Sequence, residues 1–280
     1  NPGVKKRFQE SVIEELRRKE SGSSADVIEL HAKKHGDTLI TLAELAKLTA
    51  LSVDEVKEDV KELEEQELLA VFEMRKDTYI WHMDSIREAQ QTLVRALEDY
   101  EKKYPYRYGM KKAEIQTMYF QKIKPNVFDR IVEFFVERGC IRRAEEFLCT
   151  PEFEVKKDGT YQKVAENFLN VFEKAGYDFV RYSEIDLKGV SRDMADDILN
   201  ILLTEGKVVR VTEEMYTLAE YMEQAKEKIK AHLADDPLIT IAQVRDMFGT
   251  SRKSAKPILE YMDALKITKK MGAESERVAY

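Results

Sequence analysis

One local plan (short helix, turn, amphipathic helix, hairpin) recurs four times along this chain, and its last copy, over 240–280, limits the fold most tightly. The apolar Ile241, Val244, Met247 and Phe248 predict a short helix, ended by Gly249, which reaches positive φ without strain. Thr250 or Ser251 then offers a side-chain oxygen to cap a second helix. In that helix Ala255, Ile258, Leu259, Met262 and Leu265 fall on one face. Pro257 lies inside the span, so a kink or a later start capped at Ser254 is expected. Two β-leaning runs, 267–271 and 277–280, close a hairpin around a Gly-led loop. Together these are the parts of a winged helix.

The earlier copies follow the same order. Over 25–83 the pattern predicts helices at 25–35 and 42–49 and a third that opens at Ser52, where Glu55 completes a capping box, and runs to about Gln66. Strands 68–73 and 78–83 flank a wing at 74–77. A long helix, 85–103, leads to a break at 104–109, a helix at 111–120, and another from Pro125 or Asn126 to Gly139, with Val127, Ile131, Phe134 and Phe135 on its core side. Strands 140–143 and 147–149 follow. The stretch 151–160 reads as a hinge, with turn chemistry at Asp158-Gly159. Beyond it come a helix at 161–175, a short element at 182–187, a Ser191-capped helix to about Glu205, strands 207–212 and 215–217, and a helix at 219–233. A spacing of roughly 60–75 residues suits small domains and is too long for a solenoid. The expected fold class is mainly α with small β-wings (α+β): four tandem winged-helix domains in an elongated arrangement. They fall at 25–84, 85–155, 156–217 and 218–280, after a 1–24 segment and linker belonging to a preceding domain.

Charge separates the last copy from the rest. The chain carries a net charge of -7, yet from Tyr221 onward 11 Lys and Arg face 9 Asp and Glu, leaving 35 against 44 for the remainder. Arg252, Lys253 and Lys256 occupy the first turns of the second helix, where the macrodipole favours acids, at about 0.3–1 kcal/mol each. An anion docked at that terminus reverses the sign. Lys269, Lys270 and Arg277 add charge from the hairpin, and Arg245 from the preceding helix completes the candidate set. The corresponding helix of the first copy begins with Asp54, Glu55, Glu58 and Asp59, and in the third copy Asp193, Asp196 and Asp197 outweigh Arg192. Contact with nucleic acid is therefore expected at the C-terminal end alone.

Other chemistries find little footing. No phosphate-binding glycine loop, nucleophile elbow or HExxH motif occurs, so no catalysis is expected. His31 and His35 share a helical spacing but lack a third ligand nearby, and Cys140 and Cys149 lack zinc-knuckle spacing. The thiols are expected to be reduced, in a cytoplasmic protein. No run of 18 apolar residues occurs. The N-terminus has neither a signal pattern nor a methionine, as expected of a piece of a longer chain. Tyr104, Tyr106, Arg107 and Tyr108 could stack bases, although such clusters more often fill a helix corner.

The run Gly249-Thr250-Ser251-Arg252-Lys253, continuing through Leu259-Glu260-Tyr261 and Thr268-Lys269-Lys270, resembles the last domain of bacterial selenocysteine-specific elongation factors, the SelB family. RFQESVIEELRRKESG near the start and YPYRYGMKKAEI at 104–115 are similar to family segments too. The resemblance implies the C-terminal four-winged-helix part of such a factor. In it Ser251, Arg252 and Lys253 match the RNA-gripping start of the recognition helix, and Thr268, Lys269 and Lys270 match a wing strand. The implied partners are the selenocysteine-insertion (SECIS) hairpin of mRNA and the ribosome. In the full-length protein selenocysteinyl-tRNA and GTP join them. GTP and magnesium belong to a G domain outside this chain, so no cofactor is expected here. A monomer without membrane contact is expected. The alternatives are a winged-helix DNA-binding transcription regulator and a protein-assembly scaffold.

Overall fold

The computed structural model describes residues 23–271 and 276–280. Most of the 1–24 segment and the Gly-led loop at 272–275 lie outside the described residues. The chain divides into two compact units, one comprising 1–104 and 108–154, the other 105–107 and 155–280.

In the first unit α1 (Ser24–Lys34), β1 (Ile40–Thr41), α2 (Leu42–Thr49), α3 (Val53–Glu65), β2 (Leu69–Glu73) and β3 (Thr78–His82) form one set. A second set repeats the order: α4 (Met83–Lys103), β4 (Met110–Lys111), α5 (Lys112–Tyr119), α6 (Pro125–Glu137), β5 (Arg142–Ala144) and β6 (Phe147–Cys149). The strands pair antiparallel in the orders β1-β3-β2 and β4-β6-β5. Capping boxes at Ser23, Thr41 and Ser52 start the first three helices, the last as the sequence predicts.

The β2–β3 hairpin is apolar on both faces, and strand alternation sorts its side chains between two cores. Leu69 and Ile80 join Ile28, Leu45, Val56 and Leu63 under the helices of their own set. Ala70, Phe72, Tyr79 and Trp81 point the other way, into a core with Leu97, Phe128, Ile131 and Phe135 of the next set. Phe72 meets Phe134 edge-on at 5.3 Å, and Trp81 lies 6.5 Å from Phe135. The indole N–H donates to the Gly36 carbonyl at 2.6 Å, so its one polar atom is satisfied.

The second unit contains α7 (Gly159–Ala175), β7 (Val180–Arg181), a 3-10 turn at Tyr182–Glu184, α8 (Arg192–Thr204), β8 (Val208–Arg210) and β9 (Met215–Leu218). These are followed by α9 (Ala219–Asp235), α10 (Ile241–Phe248), α11 (Arg252–Ala264), β10 (Thr268–Lys270) and β11 (Arg277–Ala279). The strand order β7-β9-β8 matches the earlier sheets. In the last set the first strand shrinks to one bridge, in which Ile239 and Arg277 exchange backbone hydrogen bonds of 2.9 Å each.

Three details differ from the sequence reading. The two-residue strands β1, β4 and β7 are additions, too short to carry a period-2 signal. Asp158 starts a helix instead of making a turn: its carboxylate accepts the N–H of Thr160 and Tyr161, so α7 begins two residues early. The helix containing Pro257 runs unbroken from Arg252, with the ring buried. Proline there removes one bond to the Lys253 carbonyl, which the first turns of a helix tolerate when packing fixes the ring.

Asp158 also gathers the turn at 105–107 into this unit. The buried Tyr106 hydroxyl donates to it at 3.0 Å, the Lys156 amide donates to the Pro105 carbonyl at 2.8 Å, and Arg107 donates to Asp197 at 2.7 Å. Tyr104 packs on Tyr100 at 4.7 Å and Tyr108 stacks near Phe147 at 6.4 Å. The aromatic cluster is thus built into packing.

Two outcomes follow from this packing. Phe72→Ala removes the ring shared between the sets of the first unit and is expected to lower its stability in urea by about 3–5 kcal/mol. The Tyr161 amide, then the Lys156 ammonium, draw the Asp158 carboxyl from 3.8 down to about 2. A depressed carboxylate stabilises the fold above its unfolded value and loses that contribution as pH falls through the folded one. The stability difference between the wild type and Asp158→Asn should therefore narrow as denaturation is measured from about pH 4 toward about pH 2.

Candidate nucleic-acid interface

The last helix pair is specified locally. Thr240 and Gln243 form a capping box on α10, and Gly249 ends it in the left-handed region at φ 59. Ile241, Val244 and Phe248 of α10 bury against Ala255, Ile258, Leu259 and Met262 of α11. This fixes which side of α11 faces solvent: Arg252, Lys253, Lys256 and Glu260 are exposed.

The start of α11 is electrostatically unusual for this chain. Ser251 is its N-cap by backbone geometry, yet makes no side-chain cap hydrogen bond, and the first turn holds no acid. The counterparts α3 and α8 are capped by the Ser52 and Ser191 hydroxyls and carry first-turn acids. The remaining counterpart, α6, has no side-chain cap but begins with Pro125, which has no N–H to satisfy, and carries no cation in its first three positions. Among the four counterparts α3, α6, α8 and α11, only α11 combines an uncapped terminus with basic first-turn residues and no first-turn acid, an arrangement that a bound anion stabilises.

The predicted residues divide into two groups. Arg245, Arg252, Lys253, Lys256, Lys269 and Lys270 are exposed. Arg245 pairs with Asp246 at 2.6 Å and Lys256 with Glu260 at 3.3 Å, both solvent-screened contacts that a polyanion can replace at small cost. Thr250 and Arg277 are buried, 8% and 4% exposed. Arg277 Nε donates to Asp263 Oδ2 at 3.1 Å, and the buried Thr268 hydroxyl donates to Asp263 Oδ1 at 2.6 Å. This triad pins the hairpin to the C-terminal end of α11, so Arg277, paired with Lys270 at the wing end of the hairpin, is turned inward and away from the exposed cations. Thr250 does not cap α11: its hydroxyl lies 2.6 Å from Asp178 Oδ1 and 2.8 Å from the Tyr177 carbonyl. Ser251 keeps its exposed position, with its amide donating to Asp178 at 3.1 Å.

Asp178 is the contributor that sequence reasoning missed. It lies 72 residues from Thr250, and no periodicity links the two positions. The Thr250 hydroxyl and then the Ser251 amide hold its carboxyl below the usual range. Among the described residues no group of three His, Cys, Asp or Glu side chains could hold a metal, and no helix is long and apolar enough to cross a membrane. Cys149 is buried as a free thiol, with burial pushing its pKa up.

Known proteins resemble this chain in sequence and in fold. Residues 231–274 and 94–148 each match a family model described as "Elongation factor SelB, winged helix". The first span holds α10, α11 and β10. A selenocysteine-specific elongation factor of Desulfomicrobium baculatum is 22% identical over 83% of this chain and 37% of its own length. One from Haemophilus influenzae is 20% identical over 71% of this chain and 32% of its own. The chain thus spans about a third of the length of these relatives. A crystal structure of bacterial selenocysteine-specific elongation factor EF-Sec aligns over 99% of this chain and 41% of its own, at 16% identity and TM-score 0.54, a likeness of fold.

The division into exposed and buried cations is testable without any ligand. Arg277→Ala should cost about 1.5–3 kcal/mol in urea denaturation, because it strands the Asp263 carboxylate. Lys269→Ala and Lys270→Ala should stay within about 0.5 kcal/mol of the wild type.

Proposed function

We propose that this chain, which carries winged-helix domains of the SelB elongation-factor family, is the mRNA-binding part of a selenocysteine-specific translation factor. It recognises a selenocysteine-insertion hairpin through its last domain. The four repeats are four winged helices, at 25–84, 85–155, 156–217 and 218–280, following a 1–24 segment from the preceding domain. The first three serve as an arm toward the ribosome-bound translation domains. The protein works as a cytoplasmic monomer. GTP, magnesium and selenocysteinyl-tRNA belong to the remainder of the full-length factor, and this part has no catalytic duty of its own.

The observation that carries this reading is the uncapped, basic start of α11, inside a segment that matches the family model. The deep major groove of an RNA stem excludes side chains, so a hairpin is read by its shape and by bases splayed from the loop. First-turn amides of α11, with Ser251 and Lys253, hold phosphates. Arg252 stacks on or hydrogen-bonds an extruded base, for which its planar guanidinium suits it better than lysine. Lys256, Lys269, Lys270 and Arg245 attract the backbone as point charges and lack the fork that reads a base edge. Thr250 and Arg277 support the face from beneath.

The test is a fluorescence-anisotropy titration of the whole 280-residue chain with a selenocysteine-insertion-type hairpin, the same stem with a scrambled loop, and a DNA duplex, at two salt concentrations. Tight binding to the first alone, retained at higher salt, is expected. Equal, steeply salt-dependent binding to all three would reduce the face to a basic patch, and preference for the duplex would return the DNA-regulator reading. Arg252→Ala should weaken hairpin binding by about 1–3 kcal/mol and relax loop preference. Lys269→Ala should instead reduce the salt slope by about 1 with loop preference intact.

A further inference from the structure

We infer that Asp178, on the segment just before β7, is a positioning residue for RNA reading: it sets the Ser251 end of α11 from outside the last domain. The inference rests on the RNA-reading function proposed above. Three consecutive residues enter the last helix pair. The Tyr177 ring lies 4.5 Å from Phe248 and meets Tyr221 edge-on at 5.3 Å. Phe179 is buried in the same core as Val244, Phe248, Ile258 and Met262. Between them, Asp178 Oδ1 accepts the Thr250 hydroxyl at 2.6 Å and the Ser251 amide at 3.1 Å. The turn from α10 to α11 is therefore held on both flanks by packing and at its centre by a carboxylate.

The chemistry explains why the anchor comes from elsewhere. A side-chain cap on Ser251 would consume a first-turn N–H of α11, and a first-turn acid would repel phosphate. Asp178 satisfies the Ser251 amide, one position before the helix, and leaves the N–H groups of Arg252 and Lys253 outside its reach of accepted bonds. Its single short contact to Thr250 fixes the turn on which Arg252 is mounted. Holding the turn in place before binding lowers the ordering cost that the ligand would otherwise have to offset.

Two roles for this carboxylate predict opposite signs. As a bystander near the RNA it would repel phosphate, and removing it would tighten binding. As a positioning residue it helps, and removing it weakens binding without changing the number of phosphates contacted. The experiment measures hairpin affinity, salt slope and thermal unfolding of the full chain carrying Asp178→Ala, Thr250→Val, Thr250→Ser or the Asp178→Ala/Thr250→Val pair. Asp178→Ala and Thr250→Val should each weaken hairpin binding about 3–30-fold, with the wild-type salt slope. The double variant should be no worse than the weaker single one, and Thr250→Ser, which keeps the hydroxyl, should bind within about twofold of wild type. Tighter binding, unchanged affinity with only a lower unfolding temperature, or additive losses would each overturn the inference. Should Asp178→Ala fail to fold, the Thr250→Val and Thr250→Ser contrast decides alone. A wild-type chain with no hairpin preference defeats the RNA-reading function itself, and this inference with it, before any variant is compared.

Discussion

A domain of about 60 residues has too little interior to bury both faces of a hairpin, and small domains of that size are stabilised only marginally by their own cores. Much of this architecture answers that constraint. In the first unit β2 and β3 place Leu69 and Ile80 in one core and Phe72 and Trp81 in another, so the hairpin is a shared wall between consecutive repeats. In the second unit Phe179, Val211 and Met215 lie in the core of the last helix pair, so that repeat too is completed by residues from its predecessor. Each compact unit thus holds two repeats that share core side chains, and the boundary between the units falls near Glu154.

The same constraint shapes the candidate interface. A recognition helix that binds an anion must leave its N-terminus uncapped, and an uncapped terminus is a weak point in an isolated domain. Burying Pro257, Ile258 and Met262 secures the body of α11, while Thr268, Arg277 and Asp263 secure the C-terminal end and hairpin. The remaining loose end, the turn at 249–251, is held by Tyr177 and Asp178. Stability is thus supplied everywhere except at the exposed first turn, which is where ligand charge can act.

Much of this was legible in the sequence because it is local. Helix Leu42–Thr49, helix Ile241–Phe248, the Ser52–Glu55 capping box and the Gly249 stop all follow from caps and periodicity within a few residues. The basic run Arg252, Lys253 and Lys256 was equally legible, since exposure on α11 follows from the apolar positions between them. What escaped was long-range or too short. Strands of two residues carry no alternation. Thr250 reads as a cap from its neighbours alone, and only the fold brings Asp178 to claim its hydroxyl. Arg277 reads as a surface cation until the bridge to Ile239 and the Asp263 carboxylate turn it inward.

The acidic balance of the rest of the chain then has a physical use. A polyanion is attracted wherever cations are exposed, so a chain that must read one feature gains specificity by denying phosphate other footholds. The counterpart helices do this individually: α3 opens with Asp54 and Glu55, and α8 with Asp193. Their serine caps also close the N-terminal amides that would otherwise bind anions nonspecifically. One fold can therefore serve as a connector in one copy and as an anion-binding surface in another. The difference lies in the first turn of a single helix: serine caps and acids in α3 and α8, a proline without cations in α6, and an uncapped terminus with cations in α11, while the hydrophobic pattern that builds the helix stays the same.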